Sequence, residues 1–282
     1  MKFGANTQIW AAPFKAEDIG LIEKVAKLGF GVIELGVAAE KPPFEIKQVR
    51  ERLKDAGLEC CVCSFIPADR DIASSDAEMR RRGIEYIKSL VATTAALGGS
   101  ILCGPLYAEL FRARYLPPTQ RRQEWEWSVA SLKQVATAAE SEGVTIALEY
   151  LNRFETDLIN LAEQAVRLVE DIGSPAIGVH LDTFHMSIEE KDQGKAIRAT
   201  GKHLRHFHAC ENDRGTPGSG QVRWDTVRGA LQDIGYDGYV VIEGFNPDVV
   251  DLANGARIWR PMAPTPDDLA RDGLKFLTIL FQ

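Results

Sequence analysis

The sequence predicts an α/β fold of the TIM type, a (β/α)8 barrel that spans residues 1–282 as a single domain. Two observations support this prediction. Short apolar, β-branched runs alternate with longer amphipathic stretches along the chain, as strands alternate with helices in such folds. Many of the amphipathic stretches end in a glycine, which readily takes the left-handed conformation that stops a helix. Eight strands in strict alternation with about eight helices describe a closed barrel.

Eight runs have the composition of strands. They are Lys2–Ile9, Val32–Leu35, Glu59–Ser64, Ser100–Cys103, Val144–Glu149, Ala176–Leu181, Leu204–His208 and Tyr239–Glu243. The amphipathic stretches are Ala16–Leu28, Glu45–Ala56, Ala77–Leu97, Gln120–Glu142, Leu161–Asp171, Trp224–Asp233 and Pro266–Leu280. A weaker helix signal covers Glu189–Thr200, and long loops are predicted at Arg214–Gly220 and from Phe245 to Thr265. A doubly wound sheet alternates similarly, but the chain has neither GxGxxG nor GxxxxGK[ST].

The amino-acid composition limits the classes of molecule that the protein is expected to bind. The formal net charge of −7 argues against a nucleic-acid backbone as ligand, because that needs a basic face. We therefore expect a small-molecule substrate and no nucleic acid. No apolar run is long enough for a membrane span, and the N-terminus lacks the apolar core of a signal peptide. The five cysteines are odd in number and form no zinc-ribbon pattern, so a reducing cytoplasm is the expected compartment.

Four polar residues stand at or just past the ends of the last four predicted strands. They are Glu149, Asp182, His208 and Glu243. Their spacings of 33, 26 and 35 residues (182−149, 208−182 and 243−208) each correspond to about one βα unit. Alternation of side chains along a strand places them on the inner face, opposite the apolar outer residues Leu148, Leu181, Phe207 and Ile242. Three carboxylates and an imidazole predict an oxygen-rich site for one divalent cation.

Alternatives remain for several of these polar residues. The four polar residues at the strand ends could instead be unrelated to one another and held in salt bridges. His180 and His206 share the inner face one layer lower, where core packing or hydrogen bonding is expected rather than metal ligation. Glu34 ends the second strand and could be a polar group behind the metal site or an ordinary loop acid.

Several segments carry a resemblance to a known family. ALEYLNRFE, SPAIGVHLDTFHMSIEE, HFHACENDR, GSGQVRW and GYDGYVVIEGF resemble the ketose 3-epimerases, the D-tagatose 3-epimerase and D-psicose 3-epimerase group of the xylose isomerase-like TIM barrels. The resemblance implies metal ligation by Glu149, Asp182, His208 and Glu243. It implies substrate binding by Glu155, His185 and Arg214. It also implies Mn²⁺, with Co²⁺ or Mg²⁺ as substitutes, no organic cofactor, and a homodimer or homotetramer.

The first half of the chain departs from the family pattern. Asn6 stands where an aromatic residue is common, and no tryptophan follows the fourth strand. These places hold the far end of the sugar, so the departure concerns the sugar preference rather than the chemistry. We expect the pocket wall to include Asn6, Cys63, Leu106 and Phe245.

The expected reaction is epimerisation of a ketose at C3 through an enediolate. Glu149 and Glu243 would act as the two acid/base groups on opposite faces of C3. The sequence leaves open D-tagatose, D-fructose, D-psicose or L-ribulose as the preferred ketose. It also leaves rivals on the same barrel: an aldose–ketose isomerase, a hydroxypyruvate isomerase or an inosose dehydratase. A DNA-repair endonuclease would need more histidines than the five present. A non-catalytic sugar-binding barrel is the rival from another class.

Overall fold

The structure, a computed structural model that describes residues 1–282, is a closed barrel of eight parallel strands, which confirms the predicted fold class. The strands are β1 Lys2–Asn6, β2 Val32–Gly36, β3 Glu59–Cys63, β4 Ile101–Gly104, β5 Thr145–Glu149, β6 Ile177–Asp182, β7 Leu204–His208 and β8 Tyr239–Ile242. Each strand pairs with the next in sequence, and β8 closes the barrel by pairing in parallel with β1. All eight carboxyl ends therefore meet at one rim.

Ten α-helices surround or cap the barrel. They are α1 Leu21–Leu28, α2 Ile46–Ala56, α3 Ala77–Leu97, α4 Pro118–Glu142, α5 Ala162–Ile172, α6 Thr183–Glu189, α7 Gln193–Thr200, α8 Trp224–Asp233, α9 Val250–Ala256 and α10 Pro266–Leu280. The glycines predicted to stop helices all have positive φ: Gly29, Gly57, Gly98, Gly143, Gly173 and Gly235. None of these helices combines the length and apolarity needed to cross a lipid bilayer.

The structure corrects several predicted bounds. β1 ends at Asn6 rather than Ile9, because the Asn6 side chain accepts a hydrogen bond from Gln8 N at 2.8 Å and begins a short 3₁₀ helix. The first amphipathic stretch contains a 3₁₀ turn at Ala16–Asp18 before α1 begins. The predicted loop after β8 contains α9. These local turns do not follow the long-range hydrophobic pattern, so periodicity alone misses them.

Alternation along the strands separates two apolar layers. Leu148, Leu181, Phe207 and Ile242 are fully buried in the main core between barrel and helices, as predicted for the outer face. Inside the barrel, Val32, Cys61 and Val241 form one small apolar cluster, and Cys63, Cys103 and Ala147 form another. Above and beside these clusters the barrel interior is polar, and the polar residues lead up to the carboxyl-end rim.

Candidate active site

Four buried side chains converge where β5, β6, β7 and β8 end. They are Glu149 at the end of β5, Asp182 at the end of β6, His208 at the end of β7 and Glu243 directly after β8. Asp182 and His208 are register partners on neighbouring strands. One possible ligand atom from each of the four lies within 4.8 Å of those of the other three. The four residues singled out at the strand tips therefore form a single cluster.

The chemistry of this cluster fits a divalent cation. Glu149 Oε1 and His208 Nδ1 are buried and have no hydrogen-bonding partner in the protein. Buried polar atoms are rarely left unpaired, because removing them from water costs free energy that only a partner offsets. Three carboxylates at such short separations also repel one another, and within the protein Arg214 pairs with Asp182 and Glu243 but not with Glu149. A single hard cation among them would satisfy the unpaired atoms and offset the repulsion.

Glu34 holds the His208 ring from inside the barrel. Glu34 Oε1 lies 2.8 Å from His208 Nε2 and accepts from Asn6 Nδ2 at 2.7 Å, and Glu34 Oε2 lies 2.6 Å from His206 Nε2. Burial alone would raise the pKa of Glu34, but the charges and hydrogen bonds of the two histidines outweigh it and hold this pKa well below its ordinary value. The ionised carboxylate can only accept, so His208 Nε2 carries a proton. His208 Nδ1 is left facing Glu243 Oε2 at 3.6 Å.

The two deeper histidines have different surroundings. His206 contacts Glu34, as an orienting residue would. Neither ring nitrogen of His180 has a hydrogen-bonding partner, and its ring packs edge-on against that of His208 with 4.1 Å between centroids. Burial and the neighbouring His208 charge lower the pKa of His180 well below its ordinary value. His180 is thus a neutral packing group beneath the cluster.

A cavity of about 470 Å³ opens above the cluster. Of the four clustered residues, Glu149 and Glu243 line this cavity, whereas Asp182 and His208 lie beneath its floor. The lining also includes Glu155, His185 and Arg214, the three residues that the resemblance implied for substrate binding. A ligand in the cavity would therefore meet two carboxylates from the floor and three polar groups from one wall.

The two cavity-lining glutamates have pKa values displaced in opposite directions. Burial first, and the charge of Glu243 second, raise the pKa of Glu149 well above its ordinary value. Burial also acts to raise the pKa of Glu243, but the charges of Arg214 and His208 outweigh it and lower this pKa. In the metal-free protein, two neighbouring carboxyls whose pKa values differ in this direction share one proton, which resides on Glu149.

Arg214 reaches the cluster from the loop after β7. Its Nη1 donates to Asp182 and, at 2.6 Å, to Glu243 Oε2. Its guanidinium carbon lies 3.9 Å from the centroid of the Phe184 ring, which supports it from one side. The Arg214 backbone has a φ of 67° and its N–H bonds the carbonyl of Glu211. The side chain is therefore aimed at the floor of the cavity by a tightly turned loop.

Both ring nitrogens of His185 face hydrogen-bond donors. Nδ1 accepts from the backbone N–H of Asn152 at 3.1 Å, and Nε2 lies 3.2 Å from Arg214 Nη2, which can only donate. Nε2 lies 3.6 Å from Glu149 Oε1. Burial and the charge of Arg214 lower the pKa of His185 well below its ordinary value, so the ring is neutral. Asn152 Nδ2 also donates to Glu155 Oε1 at 2.8 Å, which links two of the wall residues.

The expected pocket wall is only partly present. Cys63 and Phe245 line the cavity, but Asn6 and Leu106 do not. Asn6 is turned into the barrel by its bond to Glu34. Leu106 is fully buried in the main core. Side-chain direction beyond a strand end is set by such local contacts, which the alternation pattern does not describe.

Two residues that shape the site were not found from the sequence. Asn152 lies in the NRFE segment, and its role depends on contacts with His185 and Glu155 that leave no separate signal in the sequence. Glu211 is fully buried, and its carboxylate accepts from Gly218 N at 2.8 Å and from Trp224 Nε1 at 2.7 Å. It thereby holds together the loop that carries Arg214. The available signal was an acid three residues after the end of β7, followed by a glycine-rich segment.

Comparison with known proteins places the chain in a family. Residues 22–280 match the family model for the xylose isomerase-like TIM barrel. A probable ketose 3-epimerase of Synechocystis sp. is 35% identical, over all of this chain and 97% of the relative. A solved L-ribulose 3-epimerase is 33% identical with a TM-score of 0.93, covering 99% of this chain and 94% of that one. A D-psicose 3-epimerase from Clostridium cellulolyticum H10, solved with D-tagatose, is 31% identical with a TM-score of 0.92 and full coverage of both chains. The chain therefore belongs to the xylose isomerase-like TIM barrels and, within them, to the ketose 3-epimerases.

Proposed function

We propose that the protein epimerises free ketoses at C3 by proton transfer through an enediolate, with Glu149 and Glu243 as the two acid/base groups. The candidate substrates are D-tagatose, D-fructose, D-psicose and L-ribulose. The relatives carry names of this activity, and one was solved with a ketose bound. The preferred ketose is a question for a substrate panel.

One observation carries the proposal. Of the four residues in the buried cluster, the two glutamates alone line the cavity, while Asp182 and His208 lie below. Glu149 and Glu243 end strands that are three apart around the barrel, so a sugar can lie between them. Two carboxyls placed on either side of C3 are the groups that such a proton transfer needs, one to accept the proton and one to deliver it.

The wall residues supply the remaining interactions. The proton next to the C2 carbonyl passes to one carboxylate, and the other glutamate returns a proton to the opposite face of C3. The Arg214 guanidinium would donate to O1 and O2, where negative charge develops, and the His185 ring beside it would hydrogen-bond at the same end of the sugar. Glu155, held by Asn152, would accept from the O1 hydroxyl. After one turnover the two glutamates have exchanged protonation states, and the reverse reaction uses them in the opposite order.

We propose that Glu149, Asp182, His208 and Glu243 hold one divalent ion, with Mn²⁺ as the proposed metal and Co²⁺ or Mg²⁺ as substitutes. Such an ion supplies a Lewis acid that stabilises the developing negative charge next to C3. No organic cofactor enters the proposal. A homodimer or homotetramer is also proposed, supported by the exposed aromatic residues Phe154 and Trp259. Five free thiols suit a reducing cytoplasm as the compartment.

The test is a panel of ketohexoses, ketopentoses and the matching aldoses, assayed with Mn²⁺ and after EDTA treatment. The proposal expects C3-epimeric ketoses as products, lost on chelation and restored by Mn²⁺. Aldose products would indicate an aldose–ketose isomerase instead. Sugar binding without turnover in the presence of Mn²⁺ would indicate a binding protein.

A further inference from the structure

The cavity is larger than the sugar that the proposed reaction needs. Its volume of about 470 Å³ falls within the range of about 300–1,000 Å³ that pockets for drug-sized ligands have. A ketohexose, with roughly twelve non-hydrogen atoms, is smaller than such ligands. A free ketohexose therefore leaves a substantial part of the cavity unfilled. The acids on the floor fix where C3 must sit, so the unfilled part lies at the outer end.

The lining changes character between the two ends. The inner end is formed by the charged and polar side chains at the strand tips. The outer end is formed by the loops after β3 and β4 and by α9, and its lining includes Ile66, Pro67, Leu110, Phe111, Leu252 and Ala256. The single charged residue lining the cavity apart from the inner polar groups is Asp251 on α9. Sugar hydroxyls buried here would find few side-chain partners, and no cationic side chain lines this end of the cavity.

Phe111 lies in this outer wall in a strained backbone conformation. It has a φ of 64°, which is unusual for a bulky residue, and the residue is 43% exposed. The adjacent Arg112 is buried and anchors the loop through Asp71 at 2.8 Å and Asp157 at 3.1 Å. The guanidinium carbon of Arg257 lies 5.3 Å from the centroid of the Phe111 ring. Strained residues persist where the surrounding structure over-determines them, and they cluster at ligand sites.

The orientation of the sugar in the cavity follows from the residues on the cavity floor. If Glu149 and Glu243 flank C3 and Arg214 meets the O1 and O2 end, then C4, C5 and C6 extend away from that wall. A group attached to the sugar beyond C6 would reach the loops after β3 and β4 and the α9 segment. These loops approach one another, since a Cβ added at Gly255 would lie 3.7 Å from the Phe111 ring.

We propose that the outer end of the cavity is a second subsite, which binds an apolar alkyl or aryl group carried on the C6 oxygen of the ketose. This inference rests on the proposed C3 epimerisation and names a further substrate class for the same site. The occupant is apolar because Ile66, Leu110 and Phe111 offer dispersion contacts and few hydrogen bonds. It is part of the substrate because the subsite is continuous with the catalytic floor.

The test compares kcat/KM for 6-O-benzyl-D-fructose and 6-O-methyl-D-fructose with the Mn²⁺-loaded protein. Both ethers block the six-membered ring form of the sugar, so they differ in the apolar group alone. The subsite predicts about tenfold or greater preference for the benzyl ether, as expected for apolar atoms entering a matching pocket. A benzyl ether used no better than the methyl ether would overturn the inference. D-Fructose 6-phosphate should be used worse than either ether, and equal or better use would also count against it.

Variants of the protein test where the benzyl group of the ether binds. Phe111→Ala should lower the benzyl-to-methyl ratio of kcat/KM, and Ala256→Trp, which fills the same space from α9, should also lower it. Tyr115→Ala is the matched control, because Tyr115 is 97% exposed and does not line the cavity, and it should keep the wild-type ratio. An unchanged ratio in both cavity variants would place the benzyl group elsewhere. If D-fructose, D-psicose and D-tagatose are all inert, the proposed function itself fails; if they react without a benzyl preference, only the subsite fails.

Discussion

His208 Nε2 lies 2.8 Å from Glu34 Oε1 inside the barrel, and this contact turns His208 Nδ1 toward the three carboxylates of the cluster. The carboxylate and the imidazole come from β2 and β7, which lie on different sides of the barrel. Glu34 therefore determines which ring nitrogen is available to a cation. Such buried carboxylate–histidine pairs orient metal ligands and increase their basicity.

The first prediction concerns this pair. Glu34→Gln should weaken Mn²⁺ binding by about 10- to 100-fold, because an amide no longer fixes the ring proton on His208 Nε2. Titration calorimetry of the metal-free protein measures the change. Glu190→Gln is the matched control, since Glu190 bonds Tyr150 and the Ala162 backbone away from the cluster. Equal Mn²⁺ affinity in the Glu34 variant and the wild type would contradict the assigned role.

A second prediction concerns pH. Burial and the Glu243 charge raise the pKa of Glu149, and the carboxylates of Glu34 and Glu243 overcome burial to raise the pKa of His208. The metal-free protein thus holds protons at pH values where the free side chains have lost them. A cation must displace these protons, so Mn²⁺ affinity should fall as pH is lowered through the raised values. Calorimetry in two buffers with different ionisation enthalpies should show net proton release, and binding without release at mildly acidic pH would count against it.

A third prediction concerns stability. The Arg112 side chain, in the loop after β4, is only 2% exposed. It pairs with Asp71 after β3, Glu124 on α4 and Asp157 after β5. Arg112→Ala leaves these carboxylates buried with less compensation and should lower the free energy of unfolding by about 3–5 kcal/mol. Urea denaturation measures the loss. The exposed Arg167→Ala is the control and should change little, and a similarly small effect of Arg112→Ala would show that the buried pairs are not stabilising.

A fourth prediction concerns the two glutamates. Glu149→Gln and Glu243→Gln should each abolish epimerisation, because an amide can still occupy the site but cannot transfer a proton. The Mn²⁺ content of each variant should be measured alongside activity, so that loss of the metal is distinguished from loss of the acid/base group. Near-normal turnover in either metal-loaded variant would reject the two-acid scheme.

The strand tips were predictable because a period of two fixes which face a residue occupies up to the last residue of a strand. That is why Glu149, Asp182 and His208 were found from the sequence and their convergence follows from barrel closure. The role of Glu34 could not be decided, because its partners His206 and His208 are about 170 residues away in the chain.

Residues beyond the strand ends were harder to place. Asn6 and Leu106 were expected in the pocket wall, but one is drawn inward by Glu34 and the other is buried in the core. The helix α9 was expected to be loop, and it now contributes Leu252 to the outer cavity. Contacts between loops decide these positions, and such contacts leave no periodic signal in the sequence.

The most direct test of proton transfer between Glu149 and Glu243 is nuclear magnetic resonance of the ketose product formed by the Mn²⁺-loaded protein in D₂O. Transfer by two side chains that exchange protons with solvent predicts one deuterium at C3 of the product and none at other carbons. Epimerised product that retains the original hydrogen at C3 would contradict the two-acid mechanism and indicate that the hydrogen never reaches an exchangeable group.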